Sequence, residues 1–306
     1  MKIAYLMLVH KNPRLLKRAI GALSTDDCAF FIHIDRKSDM KEFSGIGGDS
    51  VFFSEERIPV YWGEFSQVEA TTRLIRQALA CSSNYDWFVF STGSDYPLRS
   101  GRYIHRFLEK NRGSEFINLL KMPAPGYPLY KINKLRYPSD KPVRRFVVRA
   151  LAKLGLAQRD YRKHLAGLEA YAGDGSWALS RDACQFIVEF MSANPHVEKY
   201  FRHTFTSDEM FIHTILGNSS FRSRVRRNLV YVDWRNGGNH PSLLNEEHIR
   251  FFESQEKIWV ENEWGSGEVL FARKFSDDRL DLVERIDEML RGKDEYGRTQ
   301  PPTANP

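Results

Sequence analysis

The chain has 306 residues, of which 42% are hydrophobic and 27% are charged, so it holds enough apolar material for one large or two small globular domains. This composition excludes a fibrous, collagen-like or wholly disordered chain. Lysine and arginine exceed aspartate and glutamate by 45 − 39 = +6, a mild excess that favours anionic partners without choosing among nucleic acids, phosphates and membrane surfaces.

The first ten residues, MKIAYLMLVH, predict a buried strand over residues 2–9, because this run is almost continuously apolar. A short signal peptide is the alternative, but the run lacks a small-residue cleavage site and ends at His10. The next segment, NPRLLKRAIGAL, predicts a helix, with Pro13 in its first turn and leucines at helical spacing.

Strands and helices continue to alternate over the first 120 residues. Strands are predicted at residues 30–35 and 86–92, and helices at residues 66–80 and 102–111. This alternation predicts an α/β fold with a mainly parallel, Rossmann-like central sheet flanked by helices.

Residues 121–164 depart from this pattern, with five prolines and, from residue 131 on, eleven Lys or Arg against two Asp. We expect an irregular basic insertion that contains a basic helix within residues 142–164. Strand character returns at residues 175–180. The next predicted elements are helices at 182–194 and 208–216, a strand in NLVYVDW, and a loop with Gly237 and Gly238.

A last helix is predicted over residues 277–291, ended by Gly292. Residues 293–306 carry three prolines and few apolar residues, which is typical of a disordered tail. Because no repeat or interdomain linker is visible, we expect a single domain over residues 1–292.

The cysteines Cys28, Cys81 and Cys184 are odd in number and widely spaced, which excludes a disulfide framework and a cysteine-rich zinc module. They favour a reducing compartment. No run of 18 apolar residues is present to predict a membrane span. We therefore expect a cytoplasmic protein.

Polar residues follow three predicted strands: His10 after the first, Asp35 after the second, and Asp95 after residues 86–92. The carboxyl ends of parallel strands form the ligand-binding edge of such sheets. The glycine-rich dinucleotide and P-loop motifs are absent, as is the G-x-S-x-G nucleophile motif. Asp-x-Asp, which would hold a divalent metal on a nucleotide diphosphate, is also absent. For Asp35 and Asp95, roles as a strand cap or turn residue remain open.

Seven segments of the chain match one known family. They are IAYLMLVHKNPRLLKRAI, FFIHIDRKSD, VYWGEFSQVEATTRLI, YDWFVFSTGSDYPL, GSWALSRDACQFI, TSDEMFIHTIL and VLFARKF, in order between residues 3 and 275. On these motifs the chain resembles a bacterial-type member of the core-2/I-branching β-1,6-N-acetylglucosaminyltransferases, the family that also holds the peptide O-xylosyltransferases. The resemblance implies a GT-A-like fold, a UDP-sugar donor, inversion at the anomeric carbon, and neither metal nor cofactor.

The resemblance also assigns the catalytic base to Glu209, in the segment Ser207-Asp208-Glu209. A carboxylate suits this role, because an inverting transfer needs a group beside the acceptor hydroxyl that accepts its proton. The alternative is structural: Ser207 caps a helix whose dipole Asp208 and Glu209 complement.

Lys274 matches the diphosphate contact of the family, and Arg273 beside it is a candidate helper. The position of a second phosphate-binding cation is occupied by His240, Pro241 and Ser242, so Arg235 is the substitute that we predict. Trp234 matches an aromatic residue near the acceptor sugar, where a ring suits stacking on a pyranose; core packing is the alternative. The remaining implied site residues are Val9, His10, Asp35, Trp62, Gly63 and Asp95 on the donor side, and Gly175, Ser176 and Trp177 on the acceptor side.

The resemblance leaves three functions open: N-acetylglucosamine transfer, xylose transfer from UDP-xylose, and glycan binding on a transferase scaffold. The expected partners are a UDP-sugar and a glycan or lipid-linked glycan. Residues 142–164 are interpreted either as an amphipathic helix on the anionic inner membrane face or as a solvated helix that shapes the acceptor cleft. No nucleic-acid-binding module is visible, so no nucleic acid partner is expected.

Overall fold

A computed structural model describes residues 1–235, 237 and 240–296 of the chain. Its strands are β1 (Ile3–Val9), β2 (Cys28–Ile34), β3 (Val51–Phe53), β4 (Trp87–Thr92), β5 (Asp95–Pro97), β6 (Glu115–Ile117), β7 (Leu120–Lys121), β8 (Tyr171–Ala172), β9 (Trp177–Ser180), β10 (Val225–Arg226), β11 (Val230–Val232), β12 (Trp259–Asn262), β13 (Gly265–Glu268) and β14 (Phe271–Arg273).

The helices are α1 (Pro13–Leu23), α2 (Phe65–Ala80), α3 (Gly101–Lys110), α4 (Tyr130–Asn133), α5 (Pro142–Lys153), α6 (Tyr161–His164), α7 (Arg181–Ala193), α8 (Pro195–Phe201), α9 (Phe211–Gly217), α10 (Glu246–Ser254) and α11 (Leu280–Tyr296). Helices α1, α2, α3, α7 and α9 lie where the sequence predicts helices, whereas α4, α6, α8 and α10 were not predicted.

The central sheet has seven strands in the order β10-β6-β9-β4-β1-β2-β3. β1 pairs in parallel with both β2 and β4, and β9 runs antiparallel to its two neighbours, β4 and β6. Helices cover both faces, so the predicted α/β class and GT-A-like arrangement are confirmed. A smaller sheet, β11-β14-β5, is connected to the large one where β5 follows the end of β4.

The apolar run of β1 reflects burial on both faces of the sheet. Ala4, Leu6 and Leu8 pack into the core on the side of α2 and α7, whereas Tyr5 and Met7 pack into the core on the opposite side. Alternate residues of a strand point to opposite faces, so a strand covered on both sides is apolar throughout. A third apolar cluster joins α1 and the small sheet to α10 and α11.

The basic insertion contains the predicted basic helix, but the helix covers only the first part of residues 142–164. The helix expected within residues 142–164 ends at Lys153, because Gly155 takes a positive φ of 73° that a continuing helix does not allow. A separate short helix, α6, follows after Asp160 caps its first turn.

The C-terminal end of the chain is described as far as Tyr296. α11 continues to that residue, four positions beyond Gly292, where the sequence predicted its end. Residues 297–306 of the predicted tail, and Gly238 of the predicted loop, lie outside the described residues. Among the helices of the described part, none is both long and apolar enough to cross a membrane.

Candidate active site

The ends of β1 and β2 meet as predicted. The backbone N–H of Asp35 donates to the carbonyl oxygen of Val9 at 2.7 Å. The buried carboxylate of Asp35 accepts from the backbone N–H of Lys37 at 2.9 Å and forms an ion pair with its Nζ at 2.9 Å. Asp35 therefore organises the loop that follows β2, and its partner Lys37 lies in the same matching segment.

Asn12 holds the loop after β1 against the turn between β4 and β5. Its backbone is left-handed, with φ at 62°, and its side-chain amide donates to the carbonyl oxygen of Gly93 at 3.0 Å. Gly93 packs so closely that an added Cβ would lie 2.9 Å from a methyl carbon of Val9. This clamp fixes Lys11, the residue between His10 and Asn12, at the edge of the sheet.

The carboxylate of Asp95 forms an ion pair with Arg273. Its Oδ1 lies 3.2 Å from Nε of Arg273, with which it is paired across β5 and β14, and its Oδ2 accepts from the backbone N–H of Thr92 at 2.6 Å. Arg273 also donates to the buried hydroxyl of Ser176 at 3.4 Å. Asp95 and Ser176 thus position Arg273, which lines the smaller of two adjoining cavities.

Lys274 belongs to a group of basic side chains that we call the cationic cluster, with Lys11, Arg273, His10 and His240. Burial lowers the pKa of Lys274, and the charges of Arg273 and Lys11 lower it further. Burial also lowers the pKa of His240, with Lys274 and Lys11 adding to the effect. Among the described residues no carboxylate lies within ion-pair distance of Nζ of Lys274. The cluster therefore has the electrostatics of an anion site.

Arg235, the predicted second phosphate cation, is engaged elsewhere. Its guanidinium is paired with Asp233 at 3.1 Å and with Glu247 at 3.2 Å, and it contacts His248 at 2.9 Å. The cations that act on Lys274 are Arg273 and Lys11, not Arg235.

Glu209 ends a single turn of 3-10 helix, Ser207–Glu209, just before α9. The hydroxyl of Ser207 donates to the carbonyl oxygens of Phe201, at 3.1 Å, and Thr204, at 2.7 Å, and it does not cap the turn. The alternative role predicted for Ser207, capping a helix, is therefore wrong. Burial raises the pKa of Glu209 to about 8, and the neighbouring charge of Asp208 adds to the rise.

Two groups oppose this rise. Tyr127 makes a side-chain hydrogen bond to Glu209, and the charge of Lys131 also lowers the pKa of Glu209. The ammonium of Lys131 lies 4.7 Å from the centre of the Tyr127 ring. Both residues come from the basic insertion, so this segment helps to build the site around Glu209.

Asp208 faces the same region. Its Oδ2 accepts from the amide of Gln67 at 2.9 Å, and burial raises its pKa to about 6. Gln67 in turn accepts from the backbone N–H of Gly63 at 2.8 Å. Gly63 has φ at 67°, and an added Cβ would lie 2.7 Å from the ring of Phe205, so only glycine fits there.

Asp174 is a third carboxylate of the site, and sequence reasoning missed it. It accepts from side-chain amides of Asn118, at 2.6 Å, and Asn228, at 2.8 and 2.9 Å, and from the backbone N–H of Ser176 at 2.9 Å. Burial raises the pKa of Asp174. In the sequence this residue lies in AGDGS and has the appearance of a turn residue, so no local signal marks it.

Two cavities meet at Glu209. The larger cavity, of about 830 Å³, and the smaller cavity, of about 140 Å³, share Glu209, Asp174, Trp62 and Trp234 in their walls. The rings of Trp62 and Trp234 are 52% and 50% exposed, so Trp234 is not a core residue.

Gly175 and Trp177 line only the smaller cavity, next to His240 and Arg273. Trp177 is buried and stacked on Phe90 with ring centres 5.3 Å apart. Among the described residues, no three His, Cys, Asp or Glu side chains are grouped so that they could hold a metal ion.

A profile of the "Core-2/I-Branching enzyme" family matches residues 3–255. The chain belongs to the core-2/I-branching enzyme family. The predicted resemblance is thereby confirmed, and it places the chain in a family of glycosyltransferases.

Relatives of this core-2/I-branching chain carry two kinds of name. Human "Xylosyltransferase 2" is 25% identical over 244 residues, which cover 76% of this chain and 26% of the relative. Mouse "N-acetyllactosaminide beta-1,6-N-acetylglucosaminyl-transferase" is 24% identical over 310 residues, which cover 94% of this chain and 72% of the relative. The match thus spans about a quarter of the length of the xylosyltransferases. Among solved structures, a 4-diphosphocytidyl-2C-methyl-D-erythritol synthase from Anaerococcus prevotii is similar over 82% of this chain and 94% of its own, with 10% identity and a TM-score of 0.36.

Proposed function

We propose that the protein is an inverting glycosyltransferase that moves a sugar, in the first place N-acetylglucosamine, from a UDP-α-sugar to a hydroxyl of a glycan acceptor. The observation that carries this proposal is the position of Glu209 at the junction of the two cavities. The smaller cavity borders the cationic cluster through Arg273 and His240, and the larger cavity is lined by exposed aromatic rings.

In this reaction Glu209 accepts the proton of the acceptor hydroxyl while the hydroxyl oxygen attacks the anomeric carbon. The attack comes from the face opposite UDP, so the product has a β-linkage. The bond between the anomeric carbon and the UDP oxygen breaks, and UDP leaves with the electron pair. A base whose pKa is about 8 suits proton transfer near neutral pH.

We propose that no metal or other cofactor takes part and that fixed cations neutralise the departing UDP. Lys274 and Lys11 supply point charges, and Arg273 offers a planar guanidinium that suits phosphate oxygens. Asp95, the one carboxylate of the segment where a metal-binding pair would stand, is already paired with Arg273.

The choice of donor sugar rests on alignment coverage. The sequence identity to the two kinds of relative is nearly equal, at 25% for the xylosyltransferase and 24% for the N-acetylglucosaminyltransferase. The N-acetylglucosaminyltransferase, however, aligns over 94% of this chain, and the xylosyltransferase over 76%. We therefore favour N-acetylglucosamine, with xylose from UDP-xylose as the second candidate.

We propose that the acceptor, a glycan or lipid-linked glycan, occupies the larger cavity. Trp62, Trp234 and Tyr130 each expose half or more of their surface there, and an aromatic ring face stacks well on a pyranose. A glycan-binding protein without activity would not need a carboxyl of raised pKa beside the cationic cluster. Nucleic acid is not a proposed partner.

We further propose that α5 rests on an anionic membrane surface at the inner face of the membrane. Its side chains Val143, Phe146 and Val147 are 75%, 73% and 50% exposed, and they recur at the three- and four-residue spacing of one helix face. Leu154 and Leu156 continue the exposed apolar surface beyond the end of the helix. Arginines and lysines of the same helix provide charge complementary to acidic lipids.

A donor panel tests the proposed transfer. UDP release is measured with UDP-N-acetylglucosamine, UDP-xylose, UDP-glucose and UDP-galactose in the presence of EDTA. We expect turnover with UDP-N-acetylglucosamine and no gain when manganese replaces EDTA. Turnover only with manganese would contradict the proposed cation chemistry, and absence of turnover with every donor and a broad acceptor mixture would contradict the transferase itself.

A further inference from the structure

Arg227 is a buried cation without an acidic partner. It follows β10 and is 7% exposed. Its Nη1 donates to the carbonyl oxygen of Asn228 at 2.9 Å, and its Nε has no hydrogen-bond partner. Among the described residues no carboxylate lies within ion-pair distance of this guanidinium. A buried charge in this state is costly unless a ligand compensates it.

Arg227 lies in the wall of the larger cavity. The two carboxylates whose charges act on it, Asp174 and Glu263, both line that cavity, as Arg227 itself does. Asp174 is already satisfied by the donors from Asn118, Asn228 and Ser176. No carboxylate of the described residues therefore neutralises Arg227 at ion-pair distance, and Arg227 stands in the wall of a cavity that a ligand can enter.

The other charges of the larger cavity leave it electropositive. Lys131 and Lys134 line it and form no ion pair within the described part of the chain. Of its acidic residues, Asp233 is paired with Arg235 at 3.1 Å, and Glu209 has its pKa raised to about 8. Glu263 is exposed on the hairpin between β12 and β13.

A separate cavity, which we call the basic cavity, adjoins Arg227 on the other side of the β12–β13 hairpin. Its volume is about 480 Å³. The hairpin contributes Trp264 and Glu263 to the larger cavity, and Trp259 and Gly267 to the basic cavity. The other basic residues that line the basic cavity are Arg106, Lys110, Arg226 and Lys257.

The acidic residue on the described wall of the basic cavity is Glu268, and it is satisfied within the protein. It accepts from the hydroxyl of Tyr103 at 2.7 Å and lies 3.5 Å from Arg99. Unpaired positive charge thus extends from the region of Glu209, past Arg227, to the basic cavity.

We propose that the acceptor is an acidic glycan whose carboxylate or phosphate is bound by Arg227 and whose chain extends along the hairpin toward the basic cavity. The inference rests on the proposed transferase function and specifies its acceptor. A guanidinium fork binds a carboxylate or phosphate with two parallel hydrogen bonds, which gives orientation as well as affinity. Aromatic residues beside the cations, Trp264 and Trp259, provide ring faces for the neutral parts of the sugars.

Matched glycan pairs test this proposal without requiring turnover. Binding of trigalacturonic acid and of its methyl ester, and of maltotriose with and without a phosphate group, is measured by calorimetry in the presence of UDP. We expect the acidic member of at least one pair to bind about tenfold more tightly, because it gains a charge-assisted hydrogen bond that the neutral member cannot form. The two pairs distinguish carboxylate from phosphate. Equal binding of acidic and neutral members in both pairs would overturn the proposal.

The variant Arg227→Met tests whether Arg227 is responsible for the preference for acidic glycans. We expect the variant to lose the preference for acidic glycans, to bind the neutral members unchanged, and to unfold at the same or a higher temperature, because a buried unpaired charge has been removed. Arg250→Met, at an exposed residue outside both cavities, is the matched control. An acidic preference that survives Arg227→Met would overturn the assignment.

UDP release from the donor alone is recorded for the same proteins. A preference for acidic glycans without donor turnover would contradict the proposed transferase activity and support the anion site at Arg227. Donor turnover without a preference for acidic glycans would support the transferase activity and contradict the anion site.

Discussion

The hydroxyl of Tyr127 is hydrogen-bonded to the carboxyl of Glu209, across 82 residues of sequence. The ring of Tyr127 is itself fixed on two sides, by the ammonium of Lys131 at 4.7 Å and by the ring of Trp264 at 5.9 Å. Burial, and then the charge of Glu209, raises the pKa of Tyr127 far above its ordinary value, so the hydroxyl stays protonated and donates. Tyr127 is therefore a positioning residue for the proposed base.

Tyr127→Phe removes this hydrogen bond and leaves the ring in place. Because the bond lowers the pKa of Glu209, we expect that pKa to rise above about 8 and the rising limb of the rate-against-pH curve to move to higher pH. Turnover then falls most at neutral pH and recovers toward the wild-type value at alkaline pH. A uniform loss at every pH would indicate a structural role only.

The charge of Asp208 raises the pKa of Glu209, so its removal should shift that pKa in the opposite direction to Tyr127→Phe. Glu209 must be ionised to accept a proton, and its pKa is raised to about 8, so we expect kcat/KM of the wild type to increase as pH rises to about 8 and then to level off. Asp208→Asn removes the neighbouring negative charge that adds to this rise. The rising limb should therefore move to lower pH, which a rate profile between pH 5.5 and 9.5 measures. A profile unchanged by Asp208→Asn would contradict the coupling of the two carboxyls.

Glu209→Gln tests the base itself. We expect turnover to fall by at least about a hundredfold, the usual scale for loss of a general base, with UDP affinity unchanged. Glu109→Gln, at an exposed position on α3, is the matched control. Wild-type turnover in Glu209→Gln would remove Glu209 from the mechanism.

The same variant has a second readout in stability. A carboxyl whose pKa is raised on folding contributes stability at low pH and loses it as pH rises through the folded-state pKa. We therefore expect Glu209→Gln to unfold at a higher temperature than the wild type above about pH 8, and this difference to shrink toward pH 5. Thermal unfolding curves across this pH range measure it. Equal unfolding temperatures at every pH would contradict the raised pKa.

Lys11, rather than Arg235, is expected to be the second cation for the diphosphate. Lys11→Ala and Lys274→Ala should each weaken UDP binding about tenfold in calorimetry, because each removes a charge-assisted contact of roughly 1.5–3 kcal/mol. Arg235→Ala is the comparison, since its guanidinium is engaged by Asp233 and Glu247. A larger loss for Arg235→Ala than for Lys11→Ala would restore the original prediction from sequence.

Sequence patterns predicted the elements that are buried on a regular period. β1 and α2 begin and end within a residue or two of their predicted limits, because a strand covered on both faces is continuously apolar and an amphipathic helix repeats every three or four residues. The antiparallel direction of β9 was not predictable, since a short buried strand has the same composition in either direction. β12 and β13 were missed for a related reason: they are mostly exposed and carry no apolar alternation.

The residues of the candidate site also fall into two groups, those that a sequence motif indicates and those that only the fold brings together. Glu209 and Lys274 are predicted site residues because they lie in motifs of the family, whereas Tyr127, Asp174 and Arg227 lie in segments without such a motif. Their roles depend on contacts with residues distant in the chain, such as that between Asp174 and Asn118, 56 positions apart. Arg235 was predicted by its position, and its pairing with Asp233 and Glu247 is not visible in a sequence.

The exposed face of α5 gives the last prediction. In a cosedimentation assay, the wild type should bind vesicles that contain phosphatidylglycerol and should bind vesicles of pure phosphatidylcholine much less, because its basic side chains attract acidic lipids. The triple variant Val143→Ser, Phe146→Ser, Val147→Ser should lower the partition coefficient by about a thousandfold or more, since burying each of the three side chains contributes about 1.5–3 kcal/mol. Donor turnover in solution should be unchanged.

Leu243→Ser is the matched control for this variant, because Leu243 is 57% exposed on a different surface. Apolar contact and charge attraction act together in this kind of binding, so high salt should weaken binding of the wild type. The binding that the triple variant retains depends mainly on charge, so high salt should remove a larger fraction of it. Vesicle binding that is the same for the triple variant and the wild type would show that α5 is not the contact. Binding that ignores lipid charge would contradict the proposed anionic surface.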